Sequence, residues 1–493
     1  MSGASIESWF PWLAVAIPSV AALVILRLDR YPNVREACTL VAAVLLVTCV
    51  GRMLELAHTG QSWETPGLEV LPAVDLQLRS DTLGTIFAML AAVLWLMTSV
   101  YSVGYMRGLE EHAQTRYFAS FAAALGATMG IALAANLLTL YVFYELLTFA
   151  TYPLVAHKET DKALAASRKY LIYTLAAGVA LLGSMGLLYA HTGTLDFTPG
   201  GIAALGEVPQ GTRNLIFLGL IVGFGVKAAL LPLQGWLPSA MVAPTPVSAL
   251  LHAVAVVKSG AFGCIRAIAF IFGPATLRAM WANEGVAYLA AATILFASVT
   301  ALSQDNLKRR LAYSTIGHLS YIVLGAALIT TSSTTGAVLH LVNHALLKIT
   351  LFFCAGAIFV ATGRDHVSQL AGIGRKMPLT MAAFAIGALG LAGVPPMNGF
   401  VSKWYLCLGG LEAGHPLLAG VLILGGIFNI AYLMPIVYTA FFRTSDEFTE
   451  FGEAPLAMLV PLLLTALAAV VLGIWPDTGG VWSLARQVAG SLQ

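Results

Sequence analysis

The chain has 493 residues, 58% of them hydrophobic and only 10% charged, with a formal net charge of +2 and a mean hydropathy of +0.83. A soluble globular chain carries roughly 25% charged residues, so a soluble enzyme, a disordered protein, a coiled coil and a nucleic-acid binder are excluded. What remains is an all-α polytopic membrane protein in a lipid bilayer, and at about 20 residues per span the chain has room for about 14 transmembrane helices.

The apolar runs predict helices near 9–28, 37–57, 81–104, 116–134, 136–156, 168–190, 213–232, 247–271, 285–303, 309–331, 334–361, 378–411, 415–441 and 454–475. The first run has no basic leader and no small-residue cleavage site, so it reads as a first span rather than a signal peptide. The run 378–411 is too long for one regular helix and holds Gly393-Val394-Pro395-Pro396, so a break is expected in its middle. The longest polar connections are 58–80 and 191–212. The five cysteines all fall in apolar stretches without CxxC spacing, which argues against a disulfide framework or a thiolate metal site.

Basic residues orient the series. Sixteen fall in alternate loops: Arg27, Arg30, Arg35; Arg107, Arg116; Lys158, Lys162, Arg168, Lys169; Lys308, Arg309, Arg310; Arg364, Arg375, Lys376; and Arg443. Six fall in the opposite set: Arg52, Arg79, Arg213, Arg266, Arg278 and Arg486. The bias places the sixteen in the cytoplasm and both termini on the outer side of the plasma (inner) membrane.

Four basic residues fit neither set: Lys227, Lys258, Lys348 and Lys403, each inside an apolar stretch, joined by Glu145 in LYVFYELLTF. Five isolated charges at the bilayer centre would cost on the order of 12–17 kcal/mol, so an ion or proton pathway facing the bundle interior is the default reading. Lys227 precedes Pro232 in VGFGVKAALLPLQGWLP, and Lys403 follows Pro395 and Pro396 in GVPPMNGFVSK. Pro232 and the Pro395-Pro396 pair should each interrupt their span. Spans 4–8 start near 116 and spans 9–13 near 285, so the two interrupted spans overlay, as in an inverted-repeat transporter. Kinked helices with snorkelling lysines are the alternative. Glu145 and Lys227, if adjacent, would hold each other charged and form a proton switch, the alternative being a static ion pair.

His340, His344 and Lys348 follow at i, i+4 and i+8, one polar stripe on an apolar helix. His318 adds a titratable group at mid-chain, Lys258 is read as the link between the halves, and His252 is the weaker candidate. Tyr144 and Asn343 receive no firm role. His-x3-His could bind zinc, but no second pair of ligands is evident, so no metal is expected. No nucleotide, flavin or iron–sulfur motif occurs, so no cofactor is expected, and any redox or ATP-driven step must come from other chains.

The runs LPLQGWLPSAMVAPTPVSALLH, NHALLKITLFFCAGAI and GVPPMNGFVSK resemble the antiporter-like subunits shared by complex I, membrane-bound hydrogenases and Mrp-type cation/proton antiporters. The resemblance covers about residues 80–440. It implies fourteen helices with two inverted five-helix repeats and two broken helices, and an axis through Glu145, Lys227, Lys258, Lys348 and Lys403. The organisation expected is 1–115 for helices 1–3, 116–271 and 285–441 for the repeats, and 442–493 for the last helix and tail. YPLVAHKETDKALAASRKYLIYTL looks most like the D-type subunit of Mrp antiporters. Lys403 stands where some complex I subunits have glutamate. The short tail after the last span implies neither the lateral helix of the largest complex I subunit nor the extra domains of the large Mrp subunit. Ser239 departs from the usual aspartate of WLPDA, which puts local capping in doubt more than transport.

The function implied is a transporter subunit without a redox site of its own. It would translocate protons in a multisubunit Na+ or K+/proton antiporter alongside other hydrophobic subunits. Proton pumping in the membrane arm of a redox complex, and energy coupling for another uptake system, are the rival readings.

Overall fold

A computed structural model of the chain describes residues 5–72 and 74–492. The helices in chain order are α1 (Phe10–Ile25), α2 (Pro32–His58), α3 (Thr82–Gly108), α4 (Gln114–Ala132), α5 (Leu137–Val155), α6 (Asp161–Thr192) and α7 (Gln210–Lys227). They continue with α8 (Thr245–Leu277), α9 (Trp281–Leu302), α10 (Leu307–Ala327), α11 (Thr331–Thr362), α12 (Pro378–Ala392), α13 (Asn398–Glu412), α14 (Pro416–Phe442), α15 (Leu456–Ile474) and α16 (Val481–Gly490). Among the described residues, nine are long and apolar enough to cross a membrane: α2, α3, α5, α6, α8, α9, α11, α14 and α15. The protein is a multi-pass helical membrane protein.

Side-chain caps fix many of the helix starts. Asp81, Asn136, Thr160, Asn306 and Thr330 each accept a backbone N–H from the first turn of α3, α5, α6, α10 and α11, satisfying donors that hydrocarbon could not. Helix α11 is the hub. It packs on α3, α8, α10, α12, α13 and α15, and its middle is buried. Helix α8 is enclosed along its whole apolar window. Around this centre, α2, α6, α14 and α15 turn large apolar side chains such as Val41, Ile172, Ile427 and Leu467 outward, the lipid-facing pattern.

Four features differ from the sequence expectation. The connection 58–80, expected only as a polar link in an all-α chain, carries short strands: β2 (Ser62–Glu64) pairs in parallel with β1 (Ser5–Glu7), and β3 (Leu68–Leu71) pairs antiparallel with β4 (Val74–Leu76). Helix α8 is not regular. Its stretches Leu250–Val254 and Ala267–Phe272 are wound as π-helix, a form frequent at functional sites. Helix α7 stops at Lys227, five residues before Pro232, with Ala229 at φ +56° just beyond, so the proline does not itself end the helix. Arg266, grouped above with loop residues, lies inside α8 and is fully buried. Its guanidinium grips the Asp81 carboxylate at 2.6 and 2.8 Å and packs on the rings of Phe197, Phe262 and Phe270. The same carboxylate caps α3, so one bidentate contact ties α8 to the start of α3.

Breaking this pair strands a carboxylate at the helix junction. Arg266→Ala is expected to lower stability by about 3 kcal/mol, the low end for a buried pair because Asp81 keeps some solvent access. Arg266→Lys should lose less but still measurably, since the ammonium cannot bond both oxygens in one plane. Denaturant unfolding of the purified chain in detergent checks both, and wild-type stability in Arg266→Ala would remove the pair from the fold's supports.

Candidate functional site: a buried line of lysines and histidines

Lys227, Lys258, His318, His340, His344, Lys348 and Lys403 are all buried. With one carboxylate among the interior residues singled out and four lysines, ion pairing cannot satisfy them, and the ammonium groups turn to other acceptors. Lys227, at the carbonyl end of α7, donates to the Tyr144 backbone oxygen at 2.5 Å and lies 3.4 Å from the centre of the Tyr144 ring. Tyr144 is itself held by its hydroxyl donating to Gly223 O at 3.0 Å. Lys348 donates to Leu311 O at 3.2 Å.

Glu145 does not pair with Lys227. Among the described residues no ion pair joins them, and Glu145 Oε1 is buried without a hydrogen-bond partner. The reason is orientation. Tyr144 and Glu145 are neighbours on α5 and point to different sides; Tyr144 takes the lysine, while the carboxylate turns to α6. There it rests on Gly178, where a Cβ would lie 2.5 Å from Oε1 and would push the carboxylate aside. The Glu145 side chain is also partly exposed at the outer surface of α5, beside Leu146.

The stripe on α11 holds three groups with three different partners. His344 Nδ1 meets Lys258 Nζ at 2.8 Å, joining α11 to α8. His340 lies between Ser402 of α13 (2.9 Å to Nδ1) and His318 of α10 (3.0 Å from Nε2). His318 Nε2 meets Asn429 Oδ1 of α14 at 3.0 Å. The Asn429 amide is oriented by its own Nδ2 donating to Gly425 O at 2.7 Å, so its oxygen must accept, and the network assigns the remaining hydrogens. His318 carries its proton on Nε2 and accepts on Nδ1. His340 therefore donates from Nε2 and leaves Nδ1 as an acceptor facing the Ser402 hydroxyl, which also lies 3.2 Å from Gly399 O. The rings of Tyr321, His318, His340 and His344 stack, with His318 centred 5.2 Å from both other imidazoles.

Lys403 closes the line. Helix α12 ends at Ala392 with Gly393 at φ +85°, a conformation few other residues adopt. The lysine folds back from α13 onto the freed carbonyls, donating to Leu391 O at 2.6 Å and Ala392 O at 3.1 Å. The ammonium thus sits at the negative end of α12, the usual way a broken membrane helix holds a cation. Its face towards the histidines is the Tyr321 ring, 5.1 Å away. Pro395 and Pro396 occupy the gap between α12 and α13, and Asn398 and Asn343 bond each other across it.

Glu145, Lys227 and Lys348 make no hydrogen bond to this network, and two further residues singled out in the sequence also stay outside it. His252 lies in the π-wound part of α8 against Phe352, with neither ring nitrogen partnered. Ser239 accepts from Lys169 at 3.2 Å and donates to Gly235 O, a local contact. Sequence reasoning missed Ser402, Asn429, Tyr321 and the Arg266–Asp81 pair. A lone Asn in the apolar run VLILGGIFNIAYL was a usable signal for Asn429; Ser402 had none apart from its neighbour Lys403.

The bundle thus encloses a run of buried lysines and histidines, in part hydrogen-bonded and in part stacked. The family described as NADH:quinone oxidoreductase/Mrp antiporter, TM, matches residues 134–428. The chain is 35% identical over 491 residues to NADH-quinone oxidoreductase subunit N of Desulforudis audaxviator, covering 95% of this chain and 96% of that one. It is 30% identical over 499 residues to Na(+)/H(+) antiporter subunit A1 of Staphylococcus haemolyticus, covering 94% of this chain but only 61% of the relative's length. In shape it matches a chain of the Mrp complex from Dietzia sp. DQ12-45-1b with a TM-score of 0.88, 21% identity and 98% coverage of both chains. The chain belongs to this complex I and Mrp antiporter family of membrane subunits. None of these matches carries the letter D expected from the loop after α5.

The assigned tautomers are directly testable. In the protein labelled with 15N-histidine, His318 should show the Nε2–H form, and Asn429→Leu should shift it by removing the acceptor. An unchanged His318 spectrum in Asn429→Leu would contradict the assignment.

Proposed function

We propose that the chain is a proton-translocating subunit of a multisubunit cation(Na+ or K+)/proton antiporter of Mrp type. The observation that carries this reading is the run of buried titratable groups in an otherwise apolar bundle: Lys258 hydrogen-bonded to His344, His344 stacked on His318, His318 hydrogen-bonded to His340, and the Tyr321 ring between His340 and Lys403. Such a run relays protons between titratable groups and offers no cage of oxygens for a sodium ion. Sodium or potassium exchange is therefore assigned to a partner subunit.

Fourteen spans cross the plasma membrane with both termini outside. Residues 1–115 hold the first three, 116–271 and 285–441 form two inverted five-helix repeats, and 442–493 hold the last span and tail. The parallel between the repeats is supported by Lys227 and Lys403, each placed at a helix carbonyl end beside an irregular segment. Protons reach Lys227 or Lys258 through one half and leave on the Lys403 side. Lys348 stands on the same stripe of α11, and His252 beside Phe352 is a lesser participant. Glu145, partly exposed on α5 with an unpartnered oxygen, gates transfer and faces a hydrophobic partner subunit.

A second reading, the proton-pumping membrane arm of a redox complex, is favoured by the relative named NADH-quinone oxidoreductase subunit N, which is matched over 96% of its length. In that case the driving reaction belongs to other chains.

The test is cation/proton exchange in inverted membrane vesicles holding the assembled complex. Glu145→Ala, Lys227→Ala and Lys403→Ala should each reduce exchange at least tenfold with the complex intact, and full exchange in all three would sink the proposal. Co-purifying flavin or iron–sulfur subunits would select the second reading.

A further inference from the structure

Away from the buried line, three metal-ligating side chains converge where two loops meet. Glu111 and His112 lie in the α3–α4 connection and His157 in the turn after α5. Their ligand atoms all lie within 4.8 Å of one another: Glu111 Oε2 is 3.9 Å from His157 Nε2 and 4.0 Å from His112 Nδ1. His157 is 0% exposed, yet neither of its ring nitrogens has a hydrogen-bond partner. A buried imidazole without a partner is costly, so such a group calls for an explanation.

The surroundings hold the three groups in place. Arg116 donates to the His157 carbonyl at 3.1 Å and pairs with Glu159, which fixes the turn and occupies the guanidinium. The His112 and His157 rings stack at 4.9 Å, and Tyr117 closes the other side of His157 edge-on at 5.8 Å. Among the described residues five non-glycine positions have positive φ, and three of them, Glu110, Ala113 and Glu159, flank this cluster. Backbone strain of that kind collects at ligand clamps. The nearest free cation is Lys158, 3.9 Å from Glu111 but on the other oxygen, Oε1, so Oε2 stays available.

We propose that Glu111, His112 and His157 form a binding site for one divalent transition-metal ion of the Zn2+ class. Two imidazoles and a carboxylate are a known three-ligand set for zinc, with water in the fourth position. Tetrahedral ligands at about 2.1 Å from a metal lie about 3.4 Å apart. The observed separations therefore need to close by about half an ångström or more, which the half-exposed His112 supplies by rotating and the Glu111 side chain by shifting towards His157. The ion would satisfy His157 Nε2 and clip the loop after α3 to the turn after α5. It would also draw Glu111 away from Lys158, which lines a cavity of about 380 Å³ together with Lys162, Lys308 and Asp365. Sequence spacing hid the site, because His157 is far along the chain from the other two ligands.

The experiment uses the full chain, purified without a histidine tag in lipid nanodiscs and stripped with chelator. Co2+ serves as the spectroscopic probe and Zn2+ as the competitor. One Co2+ per chain with tetrahedral d–d absorption, displaced by Zn2+, is expected. Affinity should fall more than tenfold in His112→Ala and in Glu111→Gln. His112 is half-exposed, so its replacement keeps the fold even where a change at His157 would not. Absence of saturable binding at one per chain, or binding that survives both substitutions unchanged, overturns the proposal.

Discussion

The structure is organised by a shortage of carboxylates. Four lysines lie in apolar spans with Glu145 as the one interior acid singled out beside them, and among the described residues no ion pair joins that acid to Lys227. Lys227, Lys348 and Lys403 donate instead to backbone carbonyls, and Lys258 meets an imidazole. A carbonyl accepts a hydrogen bond from an amine or an ammonium alike, whereas a carboxylate strongly favours the ammonium. Contacts of this kind satisfy the lysine without fixing its charge, as a group that gains and loses protons requires.

Free carbonyls are scarce in a membrane helix, because each is bonded to the N–H four residues on. They become available where a helix stops, and two of the lysines sit at such stops. Helix α7 ends at Lys227 and α12 ends at Ala392, beneath Lys403. The irregular segments are thus part of the same arrangement as the charges. At the α12 stop the freed carbonyls supply the acceptors that Lys403 needs, whereas Lys227 takes its acceptor, Tyr144 O, from within α5.

Much of this was legible in the sequence. The apolar runs located the helices to within a few residues, since hydrocarbon permits little but a helix, and charge in an apolar run marked every lysine of the interior. What escaped was orientation around a helix. Tyr144 and Glu145 are adjacent in sequence, and nothing in their order says which one meets Lys227. The break near Pro232 was expected at the proline, but the chain leaves helical geometry earlier, at Ala229. Arg266 reads as a loop residue at the edge of an apolar run, and only its pairing with Asp81, far away in the chain, explains its burial. Neutral groups such as Ser402 and Asn429 carry no charge signal at all, although Asn429 fixes the direction of the histidine hydrogen bonds.

That direction has a consequence of its own. From His340 through His318 to Asn429 both hydrogen bonds point the same way. An imidazole that takes a proton on one nitrogen and releases one from the other is left as its opposite tautomer. A proton crossing His340 and His318 would therefore leave both rings reversed, with His318 now turning a bare nitrogen to an amide oxygen that cannot donate to it. The pair would hold a record of the last crossing until the rings rotate or the proton returns, and the stacked Tyr321 ring beside them opposes rotation.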